Sequence, residues 1–442
     1  MLIDYSVANF RSIAEPINLT MLPAKGSSKP GNLIKIDKNK NVKKLLKSCI
    51  IFGANASGKT NLILALSIMK NFVINSKNLD AGDKFQSYLP FVLDNNHPNM
   101  PTSFKIHFIK NDIEYNYSFS FNSEKITNEE LSYFKGRKEH YFFKRQNNDF
   151  EPFQDKEELT SLFKNTGENV LFLSKANNEY KEFRPIFEWF NNDIIPIGTS
   201  LSQFTPPLTP QFTIDYMNKS EENKRKILKF LHHADFDISD VSGKNIQFGS
   251  PKTFENLKSF FTSFTADISK TELLSNKKIS IDFQKIPFSK VSLPEFKTIR
   301  KKIDETEIID DFIAFESAGT NQFFNLAGLW LDSLENESKL LIIDEFDLRL
   351  HPDLQDFLIR IFHDPEINQN NSQLLFTSHN TRLLNKEIFR REQILFTEKN
   401  STTKSTNLYS LYDYEDRQDR SIEKNYYLGR YGGLPDLTYG KI

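Results

Sequence analysis

Hydrophobic and polar residues alternate along several segments of the first third of the chain, as in strands with one buried face. These segments are 2–10, 17–21, 104–108, 115–121 and 126–143. The pair Asn111-Asp112 between two of them is typical of a tight hairpin turn. The pattern therefore predicts an antiparallel β subdomain in this part of the chain.

The last third contains short, continuously apolar segments at 340–343, 373–377 and 394–396, which are typical of buried strands in an α/β sheet. A similar run at 49–52 precedes residues 61–69, where apolar side chains recur at helical spacing. We therefore expect an α/β core assembled from both ends of the chain.

Residues 153–275 show helical spacing of apolar side chains, interrupted by prolines at 206, 207 and 210. No heptad repeat is sustained, so a long coiled coil is not expected. Segment 279–283 returns to strand alternation, and 304–311 is an acidic stretch that we interpret as a linker. The predicted organisation is an N-terminal lobe at 1–150, a mainly helical insertion at 151–310 and a C-terminal lobe at 311–442.

Composition limits the classes of function. The 442 residues exceed one compact domain and carry a formal net charge of −1, so no overall field draws the chain to nucleic acid or to a membrane. The single cysteine, Cys49, excludes a disulfide framework and suits a reducing compartment. No apolar run reaches the length of a membrane span, and the first residues lack a signal-peptide pattern. A cytoplasmic protein without membrane contact is expected.

Residues 53–60 match the phosphate-loop pattern G-x-x-x-x-G-K-[ST], with Gly53 and Gly58-Lys59-Thr60 at the required positions. Backbone N–H groups of such a loop can surround phosphate oxygens, Lys59 can reach the β and γ phosphates of ATP, and the Thr60 hydroxyl can bind Mg²⁺. The alternative, a glycine turn beside a lysine, is disfavoured by the predicted strand before it. The loop residues assigned to the nucleotide also include Asn55, Ser57 and Asn61.

Two acids and a histidine follow later strands: Asp344 and Glu345 come after 340–343, and His379 comes after 373–377. An ATPase needs one acid to hold Mg²⁺ and a second to polarise the attacking water, so we assign Asp344 to the metal and Glu345 to the general base. His379 would point into the same crevice and sense the γ-phosphate. The alternatives are an acidic turn and a structural histidine.

The segment before the acid pair carries a further candidate. Ser317 and Gly319 stand at the start of a predicted helix, where N–H groups can meet a phosphate. On these residues alone, an ordinary N-cap is the favoured interpretation. The phosphate loop and the acid pair are also separated by much more chain than a compact core needs, which indicates an insertion.

Together these motifs resemble the ABC-type ATPases of the structural-maintenance, recombination-repair and overcoming-lysogenization-defect class, in particular the short abortive-infection ATPases of prokaryotic phage defence. Asn9-Phe10-Arg11-Ser12 resembles their opening strand motif, and residues 53–60 resemble their Walker A loop. Ser317-Ala318-Gly319-Thr320 resembles their signature motif, residues 341–345 their Walker B strand and residues 348–352 their D-loop. His379 resembles their switch histidine, and residues 427–435 resemble the ending of the short defence members. The resemblance covers about residues 1–145 and 312–442, and it departs from the usual Gly-Gly-type turn at Ala318-Gly319-Thr320.

The resemblance implies an α/β ABC-type P-loop ATPase head with an antiparallel β subdomain and an inserted, mainly helical domain. It adds Arg11, Ser317 and Gly319 to the nucleotide site, with Gln86 as the candidate Q-loop glutamine. ATP and Mg²⁺ are the implied cofactors, and ATP would be sandwiched in a homodimer or a higher oligomer. The implied role is the ATP-hydrolysing sensor and switch of an anti-phage abortive-infection system, which controls a separate effector such as a nuclease or toxin.

Three rival functions make distinguishable predictions. A DNA-repair or chromosome-associated ATPase acting directly on DNA predicts a long coiled coil, which the middle of the chain does not indicate. An autonomous nuclease predicts a sizeable acidic, metal-binding domain after His379. A transporter ATPase is disfavoured by the insertion and the atypical signature.

For nucleic acid, the best local patch is 135–145, where basic and aromatic residues interleave. A solvated strand with buried aromatics explains that patch as well, and the near-zero net charge favours the strand.

Overall fold

The computed structural model describes residues 1–198, 208–247, 292–311, 316–414 and 421–434, except for the single positions 27, 40, 237, 303, 305 and 337. The chain forms two compact units. Unit 1 comprises Met1–Leu208 and Asp332–Ile442, and unit 2 comprises Thr209–Leu331.

In chain order, the strands are β1 (Leu2–Ala8), β2 (Ile17–Thr20), β3 (Leu33–Lys35), β4 (Lys44–Leu46), β5 (Ser48–Gly53), β6 (Thr102–Lys110), β7 (Ile113–Phe121), β8 (Ile126–Lys135), β9 (Lys138–Gln146), β10 (Asp149–Pro152), β11 (Ile194–Ile197), β12 (Asp240–Gln247), β13 (Ser292–Lys301), β14 (Glu307–Asp311), β15 (Leu340–Ile343), β16 (Gln373–Thr377), β17 (Ile394–Lys399) and β18 (Thr406–Ser410). The α-helices are α1 (Lys59–Asn75), α2 (Lys156–Phe163), α3 (Phe172–Ala176), α4 (Arg184–Glu188), α5 (Gln211–Asn218), α6 (Glu221–His233), α7 (Ala318–Glu335), α8 (Pro352–His363) and α9 (Ile422–Tyr427).

The core of unit 1 is a mainly parallel sheet in the order β11-β15-β16-β5-β17-β18, in which only the β17–β18 pair is antiparallel. Strands β5, β15 and β16 are buried along their whole length, because a parallel sheet is covered on both faces. The strands predicted from continuous apolar runs are therefore confirmed. Strand β11 lies inside the segment predicted to be helical, and Pro196 is tolerated there because β11 is an edge strand.

The second sheet of unit 1 is antiparallel, in the order β10-β9-β8-β7-β6-β1-β2. Buried and exposed residues alternate along its strands, as the sequence pattern predicted. The β6–β7 hairpin turns at Asn111 and Asp112, whose φ angles of 52° and 63° are those of a type I′ turn. The mixed α/β fold with a separate antiparallel β subdomain is thus confirmed.

The division into units differs from the predicted lobes, because residues 151–208 belong to unit 1. Aromatic rings explain this. Phe163 of α2 stacks on Phe150 with centroids 4.2 Å apart, and Trp189 stacks on Phe108 with centroids 3.9 Å apart. Burial of such large rings against the antiparallel sheet ties this segment to unit 1.

Unit 2 contains α5, α6, most of α7 and a three-stranded antiparallel sheet in the order β12-β13-β14. The acidic linker predicted at 304–311 is wrong at its C-terminal part, where β14 pairs with β13. The register places Glu307 of β14 opposite Lys301 of β13, and opposite charges at such positions favour strand pairing in a segment that looked like a linker. The strand predicted at 279–283 lies outside the described residues.

Among the described residues, no helix is both long enough and apolar enough to span a membrane.

Candidate active site

The phosphate loop connects β5 to α1, the strand–loop–helix order that the sequence predicted. Its two outer glycines are required by close packing. A Cβ atom at Gly53 would lie 2.5 Å from the carbonyl oxygen of Thr397, and one at Gly58 would lie 2.2 Å from Oγ1 of Thr406. Any larger residue at either position would displace the loop from the β17–β18 hairpin.

Two threonines of that hairpin fix the loop by hydrogen bonds. Ser57 Oγ and Thr397 Oγ1 are 2.7 Å apart, and Thr406 Oγ1 donates to the carbonyl oxygen of Ser57 at 2.9 Å. Ser57, assigned to the nucleotide from sequence, thus points into the protein and supports the loop. Sequence reasoning missed both threonines, since nothing local marks residues so distant in the chain.

Lys59 lies over its own loop and is buried. Its Nζ donates to the carbonyl oxygens of Gly53 at 2.8 Å and Ala54 at 3.1 Å. Desolvation lowers the pKa of Lys59, and the nearby carboxylates of Asp344, Asp347 and Glu345 act in the opposite direction. The tertiary fold therefore brings together the loop lysine and the acid pair that the sequence predicted to meet.

The start of α1 suits an anion. Gly58 caps the helix without a side-chain hydrogen bond, and the first turn contains no acidic residue. The N–H groups of a first turn have no acceptor within the helix, so they and the helix dipole are available to a phosphate. Asn55 and Thr60 are exposed here, which leaves the Thr60 hydroxyl accessible to a metal ion. The donor set thus fits a nucleotide phosphate with Mg²⁺.

The acid pair follows β15, which lies between β11 and β16 in the parallel sheet. Asp344 is buried and its Oδ1 accepts a hydrogen bond of 2.6 Å from Thr377 Oγ1. Glu345 has a left-handed backbone, with φ of 53°, and its N–H donates to the same hydroxyl at 2.7 Å. Both acids are therefore held by one residue of the neighbouring strand β16.

His379 follows β16 and is exposed. Its backbone N–H donates to Asp347 Oδ1 at 3.0 Å. Desolvation, and then the charge of Lys59, lower the pKa of the His379 imidazole, whereas Asp347, Glu345 and Asp344 act to raise it. Asp347 therefore belongs to this cluster although sequence reasoning did not select it. In the sequence, the only indication of this was that a third acidic residue follows β15 closely.

The opening motif reaches the first turn of α1. Asn61 Nδ2 donates to Ser12 Oγ at 2.7 Å, and the exposed guanidinium of Arg11 donates to Asn61 Oδ1 at 3.5 Å. Ser12 Oγ also lies 2.7 Å from Thr406 Oγ1. Arg11 and Asn61, both assigned to the nucleotide, thus lie together beside the phosphate loop.

Three assigned residues do not join this cluster through described contacts. Gln86 is exposed in a turn and makes no hydrogen bond within the described part of the chain. Ser317 and Gly319 belong to unit 2, where Ser317 Oγ accepts a hydrogen bond of 3.1 Å from the Thr320 N–H. That contact is the N-cap which the residues alone favoured.

The conspicuous ending of the chain packs beside the loop. The hydroxyl of Tyr426, in α9, donates to the carbonyl oxygen of Gly433 at 3.0 Å, and a Cβ atom at Gly433 would lie 3.6 Å from the Cα of Gly53. At the other end of this segment, the hydroxyl of Tyr427 is 2.8 Å from Thr381 Oγ1. The ending therefore contacts both the phosphate loop and the turn that follows His379.

The basic and aromatic patch at 135–145 has a structural explanation. Phe142, Phe143 and Arg145 are buried in β9. Arg145 forms an ion pair of 3.6 Å with Glu129 and donates to the carbonyl oxygen of Val170 at 2.7 Å. This arrangement agrees with the strand interpretation of the patch.

The class of protein is defined by a phosphate loop at the end of the buried parallel strand β5 and by carboxylates that follow β15, two strands away in the same sheet. The chain has a P-loop nucleotide-binding fold. More particularly, it belongs to the family described as AAA domain, putative AbiEii toxin, Type IV TA system, whose model matches residues 49–385.

Solved structures show a weaker likeness. The SMC head domain from Thermotoga maritima is 14% identical over 92% of this chain and 98% of that chain, with a TM-score of 0.39. An SmcHead bound to the C-winged helix domain of ScpA is 13% identical over 92% of this chain and 97% of that chain, also with a TM-score of 0.39. Likenesses of this size do not identify a shared activity or partner. No curated protein matches the chain in sequence.

Proposed function

We propose that this protein binds ATP with Mg²⁺ and hydrolyses the γ-phosphate. One observation carries the proposal: the phosphate loop after β5 and the acid pair after β15 lie at the same edge of one parallel sheet, and the helix N-terminus after the loop has no side-chain cap. The loop N–H groups and Lys59 would bind the phosphates, Thr60 and Asp344 would hold Mg²⁺, and Glu345 would accept a proton from the attacking water. Bound Mg²⁺ would neutralise charge on the phosphate oxygens.

The test separates binding from turnover. Glu345→Gln should bind ATP like the wild type but lose at least about a hundredfold in kcat, since it removes a general base. Glu366→Gln, on an exposed residue of the same unit, is the matched control and should leave kcat unchanged. Wild-type turnover by purified Glu345→Gln would contradict the assignment of the base.

We further propose that ATP is sandwiched between two protomers, with Ser317 and Gly319 of one facing the nucleotide on the other. Support comes from the signature-like sequence and from the exposure of Ser317 at the start of α7. Mixing Lys59→Ala and Ser317→Arg protomers should restore one intact site per mixed dimer, whereas each variant alone has none. If the mixtures show no more ATPase activity than the separate variants although mixed dimers form, the shared site is excluded.

The proposed biological role is the cytoplasmic ATPase and sensor of an abortive-infection defence against phage, with the lethal chemistry in a separate nuclease or toxin. The description of the family, which names a putative AbiEii toxin and a Type IV TA system, supports a role of this kind. A nucleotide switch can control a partner because its ATP-bound and free states make different contacts.

This role is tested by expressing the chain with and without the product of its neighbouring gene in phage-challenged cells. Protection should require both proteins and should be lost in Glu345→Gln. Full protection by this chain alone would overturn the two-protein model. Direct DNA binding and repair activity by the purified chain would instead favour a DNA-associated ATPase.

A further inference from the structure

Thr377 is the last residue of β16 and is completely buried beside the acid pair. We propose that Thr377 is a positioning residue, whose hydroxyl sets the orientation of Asp344 and Glu345 for Mg²⁺ binding and hydrolysis. The proposal rests on the proposed ATPase function and assigns to Thr377 a role that it exerts through its hydrogen bonds to the acid pair.

Three successive residues after β15 are tied to Thr377. Its Oγ1 donates to Asp344 Oδ1 at 2.6 Å and accepts from the Glu345 N–H at 2.7 Å. Its carbonyl oxygen accepts from the Phe346 N–H at 3.0 Å. One residue therefore fixes the side chain of the first acid and the backbone of the second.

The direction of these bonds matters. A carboxylate can only accept, so the Thr377 hydroxyl gives its one proton to Asp344 and accepts the Glu345 N–H with a lone pair. This occupies Oδ1 of Asp344, whereas Oδ2 has no hydrogen-bond donor among the described residues. The carboxylate is thus held by one oxygen, and the other is available for a cation.

Glu345 needs this support because its backbone is left-handed, at φ of 53°. Residues other than glycine rarely adopt this conformation, and where they do the surroundings must hold them in it. The hydroxyl of Thr377 supplies an acceptor for the Glu345 N–H in this turn. Loss of the hydroxyl should therefore release the backbone that directs the proposed base.

The experiment compares Thr377→Ala with Thr377→Ser, because both lack the threonine methyl group and differ only in the hydroxyl. Thr377→Val, which keeps the shape of threonine, is the second test. Thr127→Val is the matched control, since Thr127 Oγ1 is buried and makes no hydrogen bond in the described part of the chain. For each variant, one measures kcat, KM for ATP, the Mg²⁺ concentration giving half-maximal rate, and the melting temperature.

We expect Thr377→Ala and Thr377→Val to lose about tenfold in kcat, the effect of one catalytically relevant hydrogen bond, and to require more Mg²⁺. KM for ATP should change by less than about threefold, because the phosphate loop is intact. Thr377→Ser should keep kcat and Mg²⁺ dependence near those of the wild type, and Thr127→Val should match the wild type.

Equal kcat and Mg²⁺ dependence in Thr377→Ala and Thr377→Ser would overturn the positioning role, as would a loss in KM alone. If the melting temperature falls equally in Thr377→Ala and Thr377→Ser, the loss of stability comes from the missing methyl group. A difference in kcat between these two variants then reports the effect of the hydroxyl. If the wild type itself shows no ATP hydrolysis, the proposed function fails and the positioning role fails with it. Wild-type turnover combined with an unaffected Thr377→Val overturns the positioning role alone.

Discussion

Two buried cations of unit 1, Arg145 in the antiparallel sheet and Lys59 at the start of α1, have opposite surroundings. Arg145 donates to the carbonyl oxygens of Asn147 and Val170 and pairs with Glu129 at 3.6 Å. Glu129 in turn accepts from the N–H groups of Phe172 and Leu173 at 2.7 and 3.0 Å. Each charge in this network is matched by protein groups.

Lys59 instead donates only to carbonyl oxygens of its own loop and forms no ion pair among the described residues. Desolvation lowers its pKa, and three carboxylates lie close enough to act on it without forming a pair. A buried charge whose partners are all provided by the protein is costly to leave unpaired, whereas one with a partial set of partners can be stabilised further by a ligand. The comparison therefore assigns a structural role to Arg145 and agrees with the ligand binding proposed for Lys59.

The largest expected effect is on stability at the antiparallel sheet. Arg145→Met should lower the free energy of unfolding by about 3–5 kcal/mol, because it leaves the Glu129 carboxylate buried without its cation. Urea denaturation measures the change. The double variant Arg145→Met/Glu129→Leu should regain much of the loss, and an equally unstable double variant would contradict the account based on an uncompensated charge.

The next largest effect is expected at Lys59, where a substitution should weaken ATP binding and leave the free energy of unfolding almost unchanged. Lys59→Met should weaken ATP binding by about 3 kcal/mol, or more than a hundredfold in Kd, since a charged partner of the phosphates is lost. Its free energy of unfolding without nucleotide should stay within about 1 kcal/mol of wild type. Titration calorimetry and urea denaturation test the two parts. A strongly destabilised Lys59→Met would remove the contrast with Arg145.

A third charged group, His107, lies on the antiparallel sheet, and its contribution to stability should depend on pH. Burial lowers the pKa of His107, but hydrogen bonds and charges of Asp4 and Glu114 outweigh burial and raise it to about 9. Because the folded-state pKa lies above the unfolded value, the stabilisation is complete below about pH 6.5 and is lost as pH rises through about 9.

We therefore expect the stability difference between wild type and His107→Gln to be about 2 kcal/mol at pH 6 and to shrink towards pH 10. Thermal denaturation across this range is the measurement, with His351→Gln, an exposed histidine, as the control. A difference that does not depend on pH would show that His107 contributes by packing alone.

The smallest effect is expected where the ending of the chain meets the phosphate loop. Tyr426→Phe removes a hydrogen bond of 3.0 Å to Gly433 and should cost about 1 kcal/mol of stability. ATP should protect this variant against heat less than it protects the wild type, because Gly433 lies against Gly53. Tyr427→Phe, at an exposed tyrosine, should differ less from the wild type. Equal behaviour of the two variants would argue against support of the loop by the ending.

Much of the fold could be predicted from local pattern. Periods of two residues identified β1, β6 and β7, and continuous apolar runs identified β5, β15 and β16. Pattern failed where long-range pairing decides: β11 is a short edge strand inside a helical pattern, and β14 is an acidic segment that becomes a strand only opposite the lysines of β13. Neither partner is recognisable from the segment itself.

The amino-acid sequence by itself determined the phosphate loop, because the pattern formed by Gly53, Gly58, Lys59 and Thr60 lies within one strand–turn–helix connection. It also determined that acids and a histidine follow buried strands. Only the tertiary structure decided which residues meet: the sheet order places β16 beside β15, so Thr377 reaches Asp344 and Glu345, and the β17–β18 hairpin brings Thr397 and Thr406 onto the loop. The physical reason is that strand order and register join residues far apart in the chain, and no local periodicity encodes them.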